Sequence, residues 1–180
     1  MKFVKLAFIG VIAAASVTAQ AQSTLTKGMH GEIGYTSINY TDSGYAPSPA
    51  GVVRVLIGNE LHENFAVEGM AGFGTNEGSF TATGVAVKRH IDNMFGIYLK
   101  PKAKLSDVVE VFGRIGYANI ATTGTNAGVT DSTSVGSASY GVGASFNLNR
   151  TTALNVDYMT YYNKDGVKAG GPTFGVGFRF

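Results

Sequence analysis

The sequence predicts an all-β fold, an eight-stranded antiparallel up-and-down transmembrane β-barrel, and three observations carry that expectation. Apolar residues recur at every second position in eight separate segments. The connections between those segments alternate short and long along the chain. The last segment, "GPTFGVGFRF" (Gly171–Phe180), keeps the alternation and stops on a phenylalanine. A period of two means a strand with one apolar face. A closed barrel crosses a bilayer with that pattern alone, because its backbone groups pair between strands.

The beginning of the chain reads differently. Met1–Ala21, "MKFVKLAFIGVIAAASVTAQA", has Lys2 and Lys5 before an apolar run from Leu6 to Val17 and a small-x-small site at Ala19–Ala21. That is the layout of a cleaved secretory signal peptide, with residues 22–180 expected to form one domain. Of 14 Lys+Arg and 12 Asp+Glu, Lys2 and Lys5 leave with the signal. The balanced remainder gives no electrostatic case for a nucleic-acid partner. There is no cysteine, so no disulfide framework and no lipid-anchored cysteine is expected. Twenty-five glycines with 9 Tyr and 11 Phe argue against a helical protein, and 44% apolar content argues against disorder.

The first segment lies near Lys27–Tyr40, with Ile33 and Tyr35 outward. The second, near Gly51–Glu60, sets Val53, Val55 and Ile57 against Arg54, Gly58 and Glu60. The third, Phe65–Thr75, sets Phe65, Val67 and Phe73 outward and Glu68 and Met70 inward. The fourth, Val85–Leu99, puts Ile91, Phe95, Ile97 and Leu99 outward. Asn93 breaks its pattern, and a bulge there repairs it. Pro101–Asp107 reads as a lysine-bearing turn. The fifth, Val108–Ala121, has Val109, Val111, Ile115 and Tyr117 outward and Glu110, Phe112 and Arg114 inward. The sixth, Val135–Leu148, places Tyr140, Val142 and Phe146 outward. The seventh, Thr152–Asn163, places Leu154, Val156, Tyr158 and Tyr162 outward and Asn155, Asp157 and Tyr161 inward. The eighth is the closing stretch, with Phe174, Val176, Phe178 and Phe180 on its apolar face.

Loops Thr41–Ala50, Asn76–Gly84, Thr122–Ser134 and Lys164–Gly170 are the longer ones, rich in turn-forming residues. Short turns at one end and longer loops at the other fit a barrel with both termini in the periplasm. Aromatics mark the two membrane interfaces. Phe73, Tyr117, Tyr140 and Tyr162 fall at the outer level and Phe65, Phe146 and Phe178 at the inner one. The levels are roughly 20 Å apart for tilted strands.

The stretches "ENFAVEGMAGFG" (Glu63–Gly74), "VEVFGRIGYA" (Val109–Ala118) and "GVGFRF" (Gly175–Phe180) resemble strands of the small Gram-negative outer-membrane barrels of the OmpX, NspA and opacity-protein type, and of the barrel half of OmpA. The resemblance covers nearly all of residues 22–180. It implies residence in the outer membrane among its lipids and lipopolysaccharide. It also implies that Phe174, Val176, Phe178 and Phe180 form a terminal signal read by the outer-membrane assembly machinery. The four longer loops point to a structural or surface-interaction role, with a host or phage surface ligand as the expected partner.

An eight-stranded barrel is just wide enough for side chains to fill. Arg54, Glu60, Glu68, Asp92, Glu110, Arg114, Asp157 and Arg179 are therefore expected to pair across a polar, plugged lumen. Two other readings stay open, a narrow porin-like channel and a lipid-modifying enzyme. The enzyme reading has little behind it. Barrel deacylases use a His-x-Ser pair on one strand face, and none of His30-Gly31-Glu32, His62-Glu63-Asn64 or His90-Ile91-Asp92 supplies it. No metal cluster or cofactor fingerprint occurs either, so no cofactor, metal or catalytic residue is expected. A soluble barrel with an apolar interior is the structural rival, and the signal segment, aromatic spacing and terminal Phe180 weigh against it.

Overall fold

The computed structural model describes residues 28–41, 48–82, 85–126, 129–164 and 166–180. The expected signal segment and parts of all four long loops lie outside these residues. The strands are β1 (Met29–Thr41), β2 (Ser48–His62), β3 (Phe65–Gly74), β4 (Gly78–Ala82), β5 (Val85–Lys104), β6 (Val109–Asn126), β7 (Val129–Asn147), β8 (Thr152–Lys164) and β9 (Val167–Arg179). Every pairing is antiparallel between chain neighbours except two that close the sheet. These are β1 with β9, and β3 with β5 past the short β4. Eight strands thus form a closed up-and-down barrel, and β4 is an additional piece of hairpin paired to the outer end of β5.

The outward face is apolar along its whole height. Ile57, Phe73, Ile97, Ile115, Val142 and Phe174 are all more than half exposed. In water a surface like this is an association liability; in hydrocarbon it is the expected wall. The short turns are built by side chains that supply missing acceptors. Ser106 Oγ accepts from the amides of Val108 (3.3 Å) and Val109 (3.0 Å). Asn149 Oδ1 accepts from the amides of Thr151 (2.9 Å) and Thr152 (2.8 Å).

Four expectations are corrected. Pro101–Asp107 is not all turn. β5 runs on to Lys104, and Lys102, Ala103 and Lys104 pair with Phe112, Val111 and Glu110. Thr122–Ser134 and the stretch before Gly171 are largely ladder as well, because β6 pairs with β7 out to Asn126 and Val129. Third, the register shifts between Ile91 and Asn93. Ile91 is fully buried inside, not outward, and Asp92 is exposed, where it accepts a bond from Thr123 Oγ1 (2.8 Å). The bulge was anticipated at this place, yet its effect on Asp92 was not. Fourth, a second shift between Thr160 and Tyr162 turns Tyr162 from the expected outer girdle onto the interior cluster.

Glycines sit where backbones come close. A methyl group at Gly116 would collide with the carbonyl of Ile97, whereas one at Gly69 would rest in ordinary contact, 3.9 Å from the carbonyl of Ile57. Gly116→Ala is therefore expected to cost about 1–3 kcal/mol and Gly69→Ala close to nothing. Urea unfolding of both variants refolded into lipid vesicles checks the difference.

Candidate functional site

Inside the barrel two layers stack along its axis. Toward the short-turn end lies a cluster of charges. Toward the long-loop end lies an apolar cluster of Ile38, Val52, Ile91, Met94, Ile120 and Met159, all essentially without solvent contact. The lumen is therefore polar only in part, and its outer half is packed like the core of a soluble protein.

Two arginines organise the charged layer. Arg54 projects from β2 between Gly34 and Gly72, its direct neighbours on both sides. Its Nη2 donates to Glu32 Oε1 and to Asp157 Oδ2, each at 2.5 Å, and its Nη1 donates to Asp157 Oδ1 (3.1 Å) and Tyr161 (2.9 Å). Arg114, from β6 beside Gly141, donates Nε to Glu68 (2.6 Å), Nη1 to Asp157 (2.6 Å) and Nη2 to Glu32 (2.8 Å). The two guanidinium groups thus share Glu32 and Asp157, from opposite walls. Lys100 Nζ lies 3.0 Å from Glu68 and 4.5 Å from the centre of the Phe112 ring. His30 Nε2 donates to the same Glu68 (2.9 Å), and Asn155 Nδ2 donates to Glu32 (2.8 Å).

Below this layer Lys102 joins Glu60 (2.7 Å) and faces Glu110 (3.7 Å). Arg179 donates to Asn147 Oδ1 (2.9 Å) at the rim. These groups line a basin of about 610 Å³ that opens between the short turns.

Of the eight charges expected in the lumen, Arg54, Glu68, Arg114 and Asp157 come together in one cluster. Glu60, Glu110 and Arg179 sit below it at the mouth. Asp92 stands outside the lumen, because the bulge reverses its side. Glu32, Lys100 and Lys102 were not expected and are central. Glu32 was legible from the outward placement of Ile33. The lysines were hidden by Pro101, which reads as the end of a strand. Of the aromatics, Phe65, Phe73, Tyr117, Tyr140, Phe146 and Phe178 are outward and exposed, and Tyr162 is not among them. Phe174 and Phe180 are exposed too, with Val176 partly so, and the Phe180 amide donates to Met29 across the closing seam (3.0 Å).

A closed antiparallel barrel with an apolar outer wall and a filled interior defines an integral outer-membrane barrel. The family of the outer membrane protein β-barrel domain matches residues 7–180, and the chain belongs to that family. It resides in the outer membrane of a Gram-negative cell. Among solved structures, the attachment invasion locus protein Ail of Yersinia pestis is similar at a TM-score of 0.63 and 20% identity, covering 85% of this chain and 99% of that one. Ail in complex with the heparin analogue sucrose octasulfate is similar at 0.60 and 19% identity, covering 84% and 97%. Neisserial surface protein A is similar at 0.64 and 11% identity, covering 85% and 97%. A comparison with curated protein sequences found no match.

Each buried carboxylate in the cluster depends on the arginines for its neutralisation. Arg114→Met leaves Glu32, Glu68 and Asp157 short of a cation and is expected to destabilise the barrel by about 3–5 kcal/mol. Adding Glu68→Met to it removes one stranded charge and should recover part of that loss. Urea titration of the single and double variants in vesicles measures both.

Proposed function

We propose that this chain is a non-conducting, non-catalytic surface barrel that meets a ligand outside the cell through a sheet standing above its closed rim. One observation carries the reading. β7 pairs with β8 only from Tyr140 to Asn147, but with β6 as far out as Val129. Ser139 and Ser137 still reach the β8 backbone through their hydroxyls, Ser139 donating to Thr160 (2.8 Å) and Ser137 accepting from the Asn163 amide (3.3 Å), so among the described residues the outer stretch of β7, Val129–Gly136, is a sheet edge with no strand paired to it. Together with β6, β5 and β4 it forms a four-stranded extension past the rim. Such an edge accepts an extended segment by strand addition, its backbone supplying the bonds and its side chains the selectivity. The faces there are Ser- and Thr-rich, with Thr123 bonded to Ser132 (3.0 Å) and Ser134 to Asn119 (2.9 Å). A relative of similar fold, Ail, was captured with a heparin analogue, which supports a surface-ligand role for barrels of this shape.

The channel reading is disfavoured by the two stacked layers. An ion would have to cross the shared Arg54–Asp157–Arg114 contacts and then a dry apolar layer. In the same proposal, Met1–Ala21 directs export, the aromatic girdles sit against lipid and lipopolysaccharide, and the closing strand through Phe180 is presented to the assembly machinery.

Two measurements test this. The refolded protein in a planar bilayer is expected to be silent; a steady, salt-dependent current overturns the plugged lumen. Replacing Thr123–Ser132 by an Asn-Gly turn keeps the Thr122–Thr133 pair and should leave a barrel with normal heat-modifiable gel mobility. Cells displaying it should lose binding to immobilised extracellular-matrix proteins that the unaltered chain retains, and equal binding by both overturns the edge.

A further inference from the structure

At the outer mouth the apolar layer ends in a cup of about 180 Å³. We propose that this cup holds one neutral pyranose ring of a glycan between Tyr40 and Tyr162. The cup shares Thr133 and Val135 with the outer stretch of β7, but it uses the side chains that line it rather than the strand's backbone edge, so it stands whether or not that edge binds a partner.

The register builds the cup. Tyr40 on β1 and Tyr162 on β8 are both direct neighbours of Ala169, which lies on β9 between them. Two rings on alternate strands have backbones about 9–10 Å apart. The methyl side chain of Ala169 leaves the space between them unfilled. Both rings are partly buried and braced against the interior cluster, so they are held rather than free to swing. Ile120 closes the floor.

The bulge is the second, independent observation. Alternate residues of β8 from Ala153 to Met159 are buried, so an unbroken strand would send Tyr162 to the membrane. The register shift between Thr160 and Tyr162 reverses it into the mouth. Bulges re-aim side chains, and they are enriched near functional sites. The girdle position that lipid would favour is given up for a place opposite Tyr40.

The lining selects the ligand class. Among the described residues, no charged side chain borders the cup, so a sulfated or phosphorylated group would find no counter-charge among them. The walls are aromatic and aliphatic, and the paired Thr122 and Thr133 add two hydroxyl side chains to the lining. A pyranose has that same division, apolar C–H faces and a hydroxyl edge, and tyrosine offers an apolar ring with a polar tip. The volume equals about six liquid waters at roughly 30 Å³ each, which suits one sugar ring and excludes an extended oligosaccharide.

The test is NMR titration of the isotope-labelled barrel in a detergent without a sugar headgroup, using methyl glucoside, methyl galactoside and methyl mannoside as probes. At least one should shift the amides of Ala169, Thr133 and Val135 saturably. Tyr162→Ala should weaken that binding by about tenfold, while Tyr162→Phe, which keeps the ring, should preserve most of it. Ala169→Leu fills the gap without removing either ring and should abolish binding, with folding checked by gel mobility. The proposal is overturned if no glycoside saturates, if Ala169→Leu binds as the unaltered chain does, or if N-acetylphenylalaninamide saturates the site where the glycosides do not. That last result would make the cup a pocket for a protein side chain.

Discussion

Hydrocarbon offers no water to a peptide group, so every backbone N–H and C=O in the membrane must find its partner on an adjacent strand. In this chain that requirement is met by closing β1 on β9 and β3 on β5. Closure then dictates the rest. Half the side chains are forced into an interior as narrow as eight strands allow. Any charge there must be neutralised across the lumen, and any long side chain needs a small neighbour. Arg54 meets both demands at once. Gly34 and Gly72 flank it, and Glu32 and Asp157 receive it.

Strict alternation is the signal that makes such a fold legible, and it is also what three register shifts break among the described residues, at Glu60/His62, Ile91/Asn93 and Thr160/Tyr162. Between them, the bulges at Ile91/Asn93 and Thr160/Tyr162 account for the misplaced Asp92, Ile91 and Tyr162. A bulge inserts one residue and exchanges the faces of everything beyond it. The first left a trace in the sequence, since Asn93 stood among apolar residues. The second left none. Tyr161 and Tyr162 are adjacent, chemically identical, and equally acceptable at a membrane interface or in a half-apolar interior.

The fold, the order of the strands and most of the charged layer were legible because they depend on period and on residue type alone. Glu68, Arg114 and Asp157 could be assigned from their apolar neighbours. Lys100 and Lys102 could not, because Pro101 between them carries the ordinary meaning of a strand's end. β5 continues past it to Lys104, and Lys102 takes its place in the ladder by donating its amide to the carbonyl of Asn64 (2.9 Å). The outer half of the lumen was misjudged for a different reason. Ile38, Met94 and Ile120 lie inside at the same alternate positions that elsewhere carry charge, and no local pattern distinguishes an apolar interior from an apolar exterior.

The two interior layers do different work, and their order along the axis follows from that. The charged layer sits above a basin open to the short turns, where Glu60 keeps part of its side chain in solvent while Glu110 and the Lys102 side chain are nearly buried. The cluster around Arg54 and Arg114 is buried throughout and offsets its desolvation cost with shared ion pairs. What the cluster contributes is specificity of register, because slipping any one strand by a residue removes its charge from the shared contacts. It is not a good barrier, since polar groups invite water. The apolar layer from Ile38 to Ile120 has the opposite character. It specifies little, but its side chains have almost no contact with solvent. Because it lies on the outer side, the tyrosine-walled cup rests on an apolar floor, and in the proposed function that floor is what stops ions.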